Sequence, residues 1–373
     1  MVRQWLSIGA LAMAMALAGS AHGQDAGGER KAWDELIKAA QREGEVSVIL
    51  SGQIPEKLRV AMPTFEKKYG VKVKFQTGSG QQHAARILAE RRFGRYTLDA
   101  WWGGADTPLA ELIPNKVLAP MDELLVDPDV RDPSKWFHGK LHYTDPERRF
   151  ILAWGASPTQ FVSFNTNLVN PDEIKSCADL LNPKWKGKIV AWAIGAQGAS
   201  VDSLVLNPKV GYDWFRRLAN EMDMTIVDNP RQGAEWVALG RFPIGLFGLD
   251  KEANLLANQG FPIQGWLPHP MKEANILSAG SANLMAIDRA PHPNALKLFV
   301  NWALSREAQQ QFIEIGEKTD SLRTDVDNSV IGVQNRIQPD AEYDIAFENF
   351  ELINNKAKII DNLRKIIRDA GYR

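Results

Sequence analysis

Two rhythms of hydrophobic and polar positions alternate along this chain. Residues 31–43 (KAWDELIKAAQRE) set Trp33, Leu36, Ile37 and Ala40 at helical spacing, and Gly44 stops the run. Glu45–Leu50 (EVSVIL) has the period of a strand; Ser51-Gly52 turns it, and Pro55 opens a helix ending at Tyr69-Gly70. Val71–Phe75 (VKVKF) is the next strand, followed by QTGSG (76–80) and a helical pattern reaching Gly94. Leu98–Trp102 (LDAWW) predicts a third strand, closing in Gly103-Gly104, with a short helix near Pro108–Ile113. Strands alternating with helices predict an α/β lobe around a mostly parallel sheet.

The pattern then pauses and restarts. Residues 125–150 are rich in Asp, Pro and charge and predict surface loops. Gln160–Phe164 reads as a strand, Lys188–Trp192 as another, and the turn IGAQGAS (194–200) leads into a helix from Val201. Strand, Gly/Ser turn and helix therefore recur, as architecture rather than as a sequence repeat. Ile276–Ile287 is an extended run with the look of a return connection. Pro293 opens a long helical stretch carrying Leu296, Phe299, Val300, Leu304, Phe312 and Ile315 on one side, and a last amphipathic helix covers about 347–367.

The N-terminus changes the accounting. Arg3 precedes an apolar run from Leu6 to Ala18, and small Ala21 and Gly23 stand at the −3 and −1 positions of a cleavage before Gln24. This is the pattern of a secretory signal peptide over 1–23; the apolar core is shorter than the ~20 residues of a spanning helix. Removing it leaves 373 − 23 = 350 residues, enough for two domains. The single Cys177 allows no internal disulfide, so an exported product rests on its core, free of any membrane anchor and, in a host with two membranes, in the periplasm. Net charge is −1, which gives no basic field for nucleic acid or membrane.

Chemistry concentrates at the two turns. Ligands of open parallel sheets bind beyond the carboxyl ends of the strands, where a helix start offers unpaired N–H groups and partial positive charge. Ser79 and Gly80 can thus hold an anionic oxygen, or Ser79 can simply cap its own helix. Of Trp101 and Trp102, only one can face a ligand, and Trp102 abuts Gly103-Gly104. Arg231 and Gln232 follow the strand 224–227 and can clamp a carboxylate or phosphonate. His138 and His142 lack a third ligand near in sequence, and the surroundings of Ser79 and His83 spell neither G-x-S-x-G nor a nucleotide loop.

Four stretches extend the reading: Glu43–Ile49 with Phe65–Val73, Val162–Val169 (VSFNTNLV), Asp179–Ile189 (DLLNPKWKGKI) and His292–Gln309 (HPNALKLFVNWALSREAQ). In these, and in their order over nearly the whole mature chain, the sequence resembles the extracellular solute-binding proteins of ABC importers, in the branch related to iron(III)- and polyamine-binding proteins. The resemblance implies the type II periplasmic binding protein fold: two α/β lobes joined by two crossing strands, here near 161–165 and 278–285, closing over a ligand. It implies a first lobe of 24–161 plus 281–373 and a second of 162–280. It further implies a small-molecule ligand, ABC permease subunits as partners, a monomer, and neither cofactor nor catalysis.

Departures matter. Iron-binding relatives carry an adjacent tyrosine pair in the second lobe; this chain has six tyrosines, none adjacent, and the matching Ile244–Asp250 offers Phe247 and Gly248. Their arginine before the crossing strand is replaced by Ser157–Gln160 (SPTQ). Asp106 and Asp250 are candidate partners for amines, but the glycine turns favour an oxyanion. The expected ligand is a small anionic organic solute (carboxylate, phosphonate or phosphate ester), with Fe(III) and an enzyme or a sensor's ligand-presenter on the same fold as rivals. The expected contacts are Ser51, Ser79, Gly80, Gln81 and Trp102 from the first lobe and Trp192, Gln197, Ser200, Arg231, Gln232, Phe247 and Asp250 from the second.

Overall fold

The computed structural model describes residues 28–193, 201–316, 318–339 and 341–372. The expected signal peptide and the turn 194–200 lie outside them. Among the described residues no helix is long and apolar enough to cross a membrane.

The first sheet forms as the rhythm predicts. Glu45–Ser51 pairs in parallel with Lys72–Thr77 on one side and Ala100–Gly103 on the other. Asn283–Ile287 then runs antiparallel to Ala100–Gly103 and carries Leu152–Ala153 on its far edge. Helices cover both faces, so Trp101 and Trp102, which point to opposite sides, are both fully buried. Trp102 meets Trp154, Phe299 and Phe312 with ring centroids 5.8, 5.9 and 5.0 Å apart.

The second sheet has the order Thr225–Val227, Ile189–Trp192, Ile244–Leu246, all parallel, then Val162–Asn165 and Ile263–Gln264 antiparallel. Its core is separate from the first, built around Phe164, Phe215, Leu218 and Phe247.

A third, small sheet joins them. Gly155–Thr159 and Ile276–Ser278 pair antiparallel, with Ser157 opposite Ser278. Ala156 and Leu277 pack into the first core, while Phe161 and Ile276 pack into the second. The crossing therefore falls a few residues before each expected place: Val162–Asn165 belongs wholly to the second sheet, and Asn283–Ile287 to the first. Asp320–Ser321 and Asp344–Ile345 flank the pair at its two edges.

The helix Phe350–Asp369, expected with the first lobe, packs on the second instead. Leu352, Ile359, Leu363 and Ile367 bury their side chains in the second core. Its apolar stripe specified a buried face but not the lobe that receives it.

Candidate functional site: the interlobe cleft

A cleft of about 720 Å³ lies between the two sheets. Gly104, Ala105 and Asp106, directly after the strand Ala100–Gly103, form one wall. The crossing strands contribute Thr159, Ile276 and Ser278. The second lobe supplies Val201, Asp202 and Ser203 from the start of the helix Val201–Leu206. The last helix closes the side with Leu352, Lys356 and Ile360. Both lobes thus meet at the carboxyl ends of parallel strands, where an open α/β sheet places its ligands.

Packing fixes the first wall. A Cβ at Gly103 would overlap the Ser51 carbonyl oxygen, so the two strand ends approach only because one is glycine. Asn283, fully buried, donates from Nδ2 to the Gly103 carbonyl at 3.2 Å and the Gly280 carbonyl at 3.1 Å. Its Oδ1 accepts from Thr144 Oγ1 at 2.7 Å. This brace ties the wall to the crossing strand's return.

The charges are unevenly spent. Arg231 donates through Nε to Glu235 at 2.7 Å and lies 3.5 Å from Glu252, so its expected role as the anion clamp is replaced by ion pairing on its own lobe. Burial pushes the Asp202 carboxyl above its ordinary range, against the pull of the Lys356 ammonium. Burial likewise raises Asp250, with its own and the Lys251 N–H and the charge of Lys318 opposing.

None of the ten expected contacts among the described residues lines this cavity. Ser79 is a helix cap: its Oγ accepts the Gln82 N–H at 3.3 Å, and Gln82 Oε1 accepts the Ser79 N–H at 3.2 Å. Gly80 is required by packing, since a Cβ there would stand 2.7 Å from Thr107 Oγ1. Gln81 and Gln232 are exposed, and Ser51 is half-buried at its strand end. Trp192 donates from Nε1 to the Asp228 carbonyl at 3.1 Å. Trp102 and Phe247 are corrected outright: both are fully buried core residues, Phe247 stacked on Phe161 at 5.6 Å. Asp250 starts the helix Asp250–Asn258. Gln197 and Ser200 lie outside the described residues.

Several residues that line this cleft stand near the turns the sequence singled out, a few positions away from those expected. Asp202 and Ser203 follow the second turn directly, and Asp106 follows the first lobe's third strand. Lys356 had no signal, because a lysine on an amphipathic helix reads as solvated. Among the described residues no three His, Cys, Asp or Glu side chains converge to hold a metal ion.

Residues 51–310 match the family model of the bacterial extracellular solute-binding proteins. An uncharacterized protein of Haemophilus influenzae is 26% identical over 264 residues, 66% of this chain and 69% of that protein. Solved structures share the fold. They include the Trichodesmium protein IdiA/FutA in complex with iron and citrate (TM-score 0.59, 19% identity, 88% of this chain and 100% of that one). A putative extracellular solute-binding protein from Bordetella parapertussis has a TM-score of 0.63 at 19% identity, covering 87% and 99%. AfuA of Actinobacillus pleuropneumoniae, with fructose-6-phosphate bound, has a TM-score of 0.54 at 19% identity, covering 87% and 99%. With two separately cored lobes, crossing strands and a cleft between them, the chain belongs to the bacterial extracellular solute-binding proteins, the substrate-binding components of ABC-type transport, and has their type II periplasmic binding fold.

Proposed function

We propose that this protein captures a small organic solute bearing an acidic group in the interlobe cleft, closes over it, and delivers it to the membrane subunits of an ABC permease. The observation that carries the reading is the 720 Å³ cleft itself, spanned by the crossing pair Gly155–Thr159 and Ile276–Ser278. That volume fits a metabolite-sized ligand. Lys356 supplies a cation for the acidic group, and Thr159, Ser203 and Ser278 supply hydroxyls. Cleavage after residue 23 would release the chain as a soluble periplasmic monomer.

Iron and sugar phosphate are the ligands of the relatives IdiA/FutA and AfuA. Side-chain ligation of Fe(III) is less well supported here. Among the described residues the cleft wall offers the carboxylates of Asp106 and Asp202 and no imidazole, thiolate or phenolate.

Thermal shift with a panel of carboxylates, phosphonates, sugar phosphates and ferric citrate tests the assignment. Stabilisation by one or more organic acids is expected, growing with concentration as linkage requires. Stabilisation by ferric salts alone would replace organic acid with iron, and turnover of a panel member would make the protein an enzyme.

A further inference from the structure

We propose that the solute carries a protonated amine beside its acidic group, with Asp202 and Asp106 receiving the amine and Lys356 the acid. This rests on the solute-binding reading of the cleft and narrows its chemistry.

Several charged side chains outside the cleft wall are already paired. Arg231 holds Glu235 and Glu252, Lys209 reaches Glu342 at 2.6 Å, and Lys140 reaches Glu348 at 2.6 Å. The three charges in the cleft wall differ. Among the described residues no ion pair within 4.0 Å reaches Asp106, Asp202 or Lys356. Asp202 accepts the neighbouring Ser203 N–H, at 3.0 Å through Oδ1, and its own backbone N–H. Ser203, 6% exposed, places its hydroxyl-bearing side chain in the same wall.

Closing the lobes removes water from these groups, and an unpaired charge in a dried cleft is strongly unfavourable. The wall holds two carboxylates against one ammonium. A purely anionic solute satisfies Lys356 and leaves both aspartates facing like charge. A purely cationic one does the reverse. A solute with both groups gives every charge in the wall an opposite partner in one binding event, the amine shared between the two carboxylates, with Ser203 and Ser278 hydroxyls completing the amine's or the acid's hydrogen bonds.

Matched pairs that differ only in the amine test this by calorimetric titration: β-alanine against propionate, 2-aminoethylphosphonate against ethylphosphonate, and glucosamine 6-phosphate against glucose 6-phosphate. For the pair that binds, the amino member is expected to bind at least about tenfold tighter, the value of one charge-assisted hydrogen bond. Asp202→Asn, which keeps the Ser203 contact, should shrink that preference. Asp106→Asn, at an exposed position, should shrink it independently. Lys356→Gln should weaken both members alike. Equal binding of amino and deaminated members, or a preference untouched in both aspartate variants, overturns the amine and leaves the acid-binding cleft standing. Binding of no member by the wild-type protein overturns both readings.

Discussion

Asp320 sits 1% exposed at the edge of the crossing sheet, opposite Ala156. Burial pushes its carboxyl up to about 6, against N–H groups from Ile337 and Ser321, the Asn328 amide and the charge of Arg336. Its Oδ1 has no partner among the described residues. A folded pKa above the unfolded value of 3.8 means that the folded state binds the proton more tightly. Stability should therefore fall as pH rises from about 4 through about 6 and return on acidification, and Asp320→Asn should flatten that part of a Tm-against-pH curve. At the same scale, Phe247→Ala is expected to cost about 4 kcal/mol in denaturant unfolding, because the ring fills the second core. Alternation along the strand correctly separated Trp101 from Trp102. It did not reveal that a sheet covered on both faces hides each of them.

Elements were more legible than positions. The parallel strands of both sheets, the Gly80–Arg92 helix and its Ser79 start stand where the rhythm and the turn chemistry put them, while each sheet also takes in antiparallel strands. Ser79, however, uses its oxygen locally, in a reciprocal pair with Gln82 that a Ser-x-x-Gln spacing already spells. Ser79→Ala should lower stability by about 1 kcal/mol and leave solute affinity unchanged, as unfolding and titration of one variant would show together. A large loss of affinity would return Ser79 to the binding surface. The long-range choices had no local code: the strand Asn283–Ile287 inserts into the first sheet, and the last helix docks on the second lobe, through contacts distant in sequence.

At the scale of the whole molecule, the described residues pass between lobes three times. The third passage follows Asp344–Ile345: Phe347 packs into the first core and Leu352 into the second. Glu348 fastens this strap. His142, fully buried in the first lobe, faces Glu348 Oε1 through Nδ1 and the Phe137 carbonyl through Nε2, both at 2.8 Å, and Lys140 adds a bond at 2.6 Å. Burial alone would raise the Glu348 carboxyl, but the hydrogen bonds and charges of His142 and Lys140 bring it down to about 2. Its contribution is complete above the unfolded value of 4.5 and is lost as pH falls from there toward about 2. Glu348→Gln should cost about 2 kcal/mol at neutral pH, with the deficit shrinking in acid, by chemical denaturation.

The strap has a practical corollary. It carries the polypeptide from one half to the other before it ends, so residue 28 rides on the first half and residue 372 on the second. Dyes attached at these two points form a built-in ruler: if the halves close on a solute as proposed, energy transfer between them should change with occupancy, without a label near the ligand.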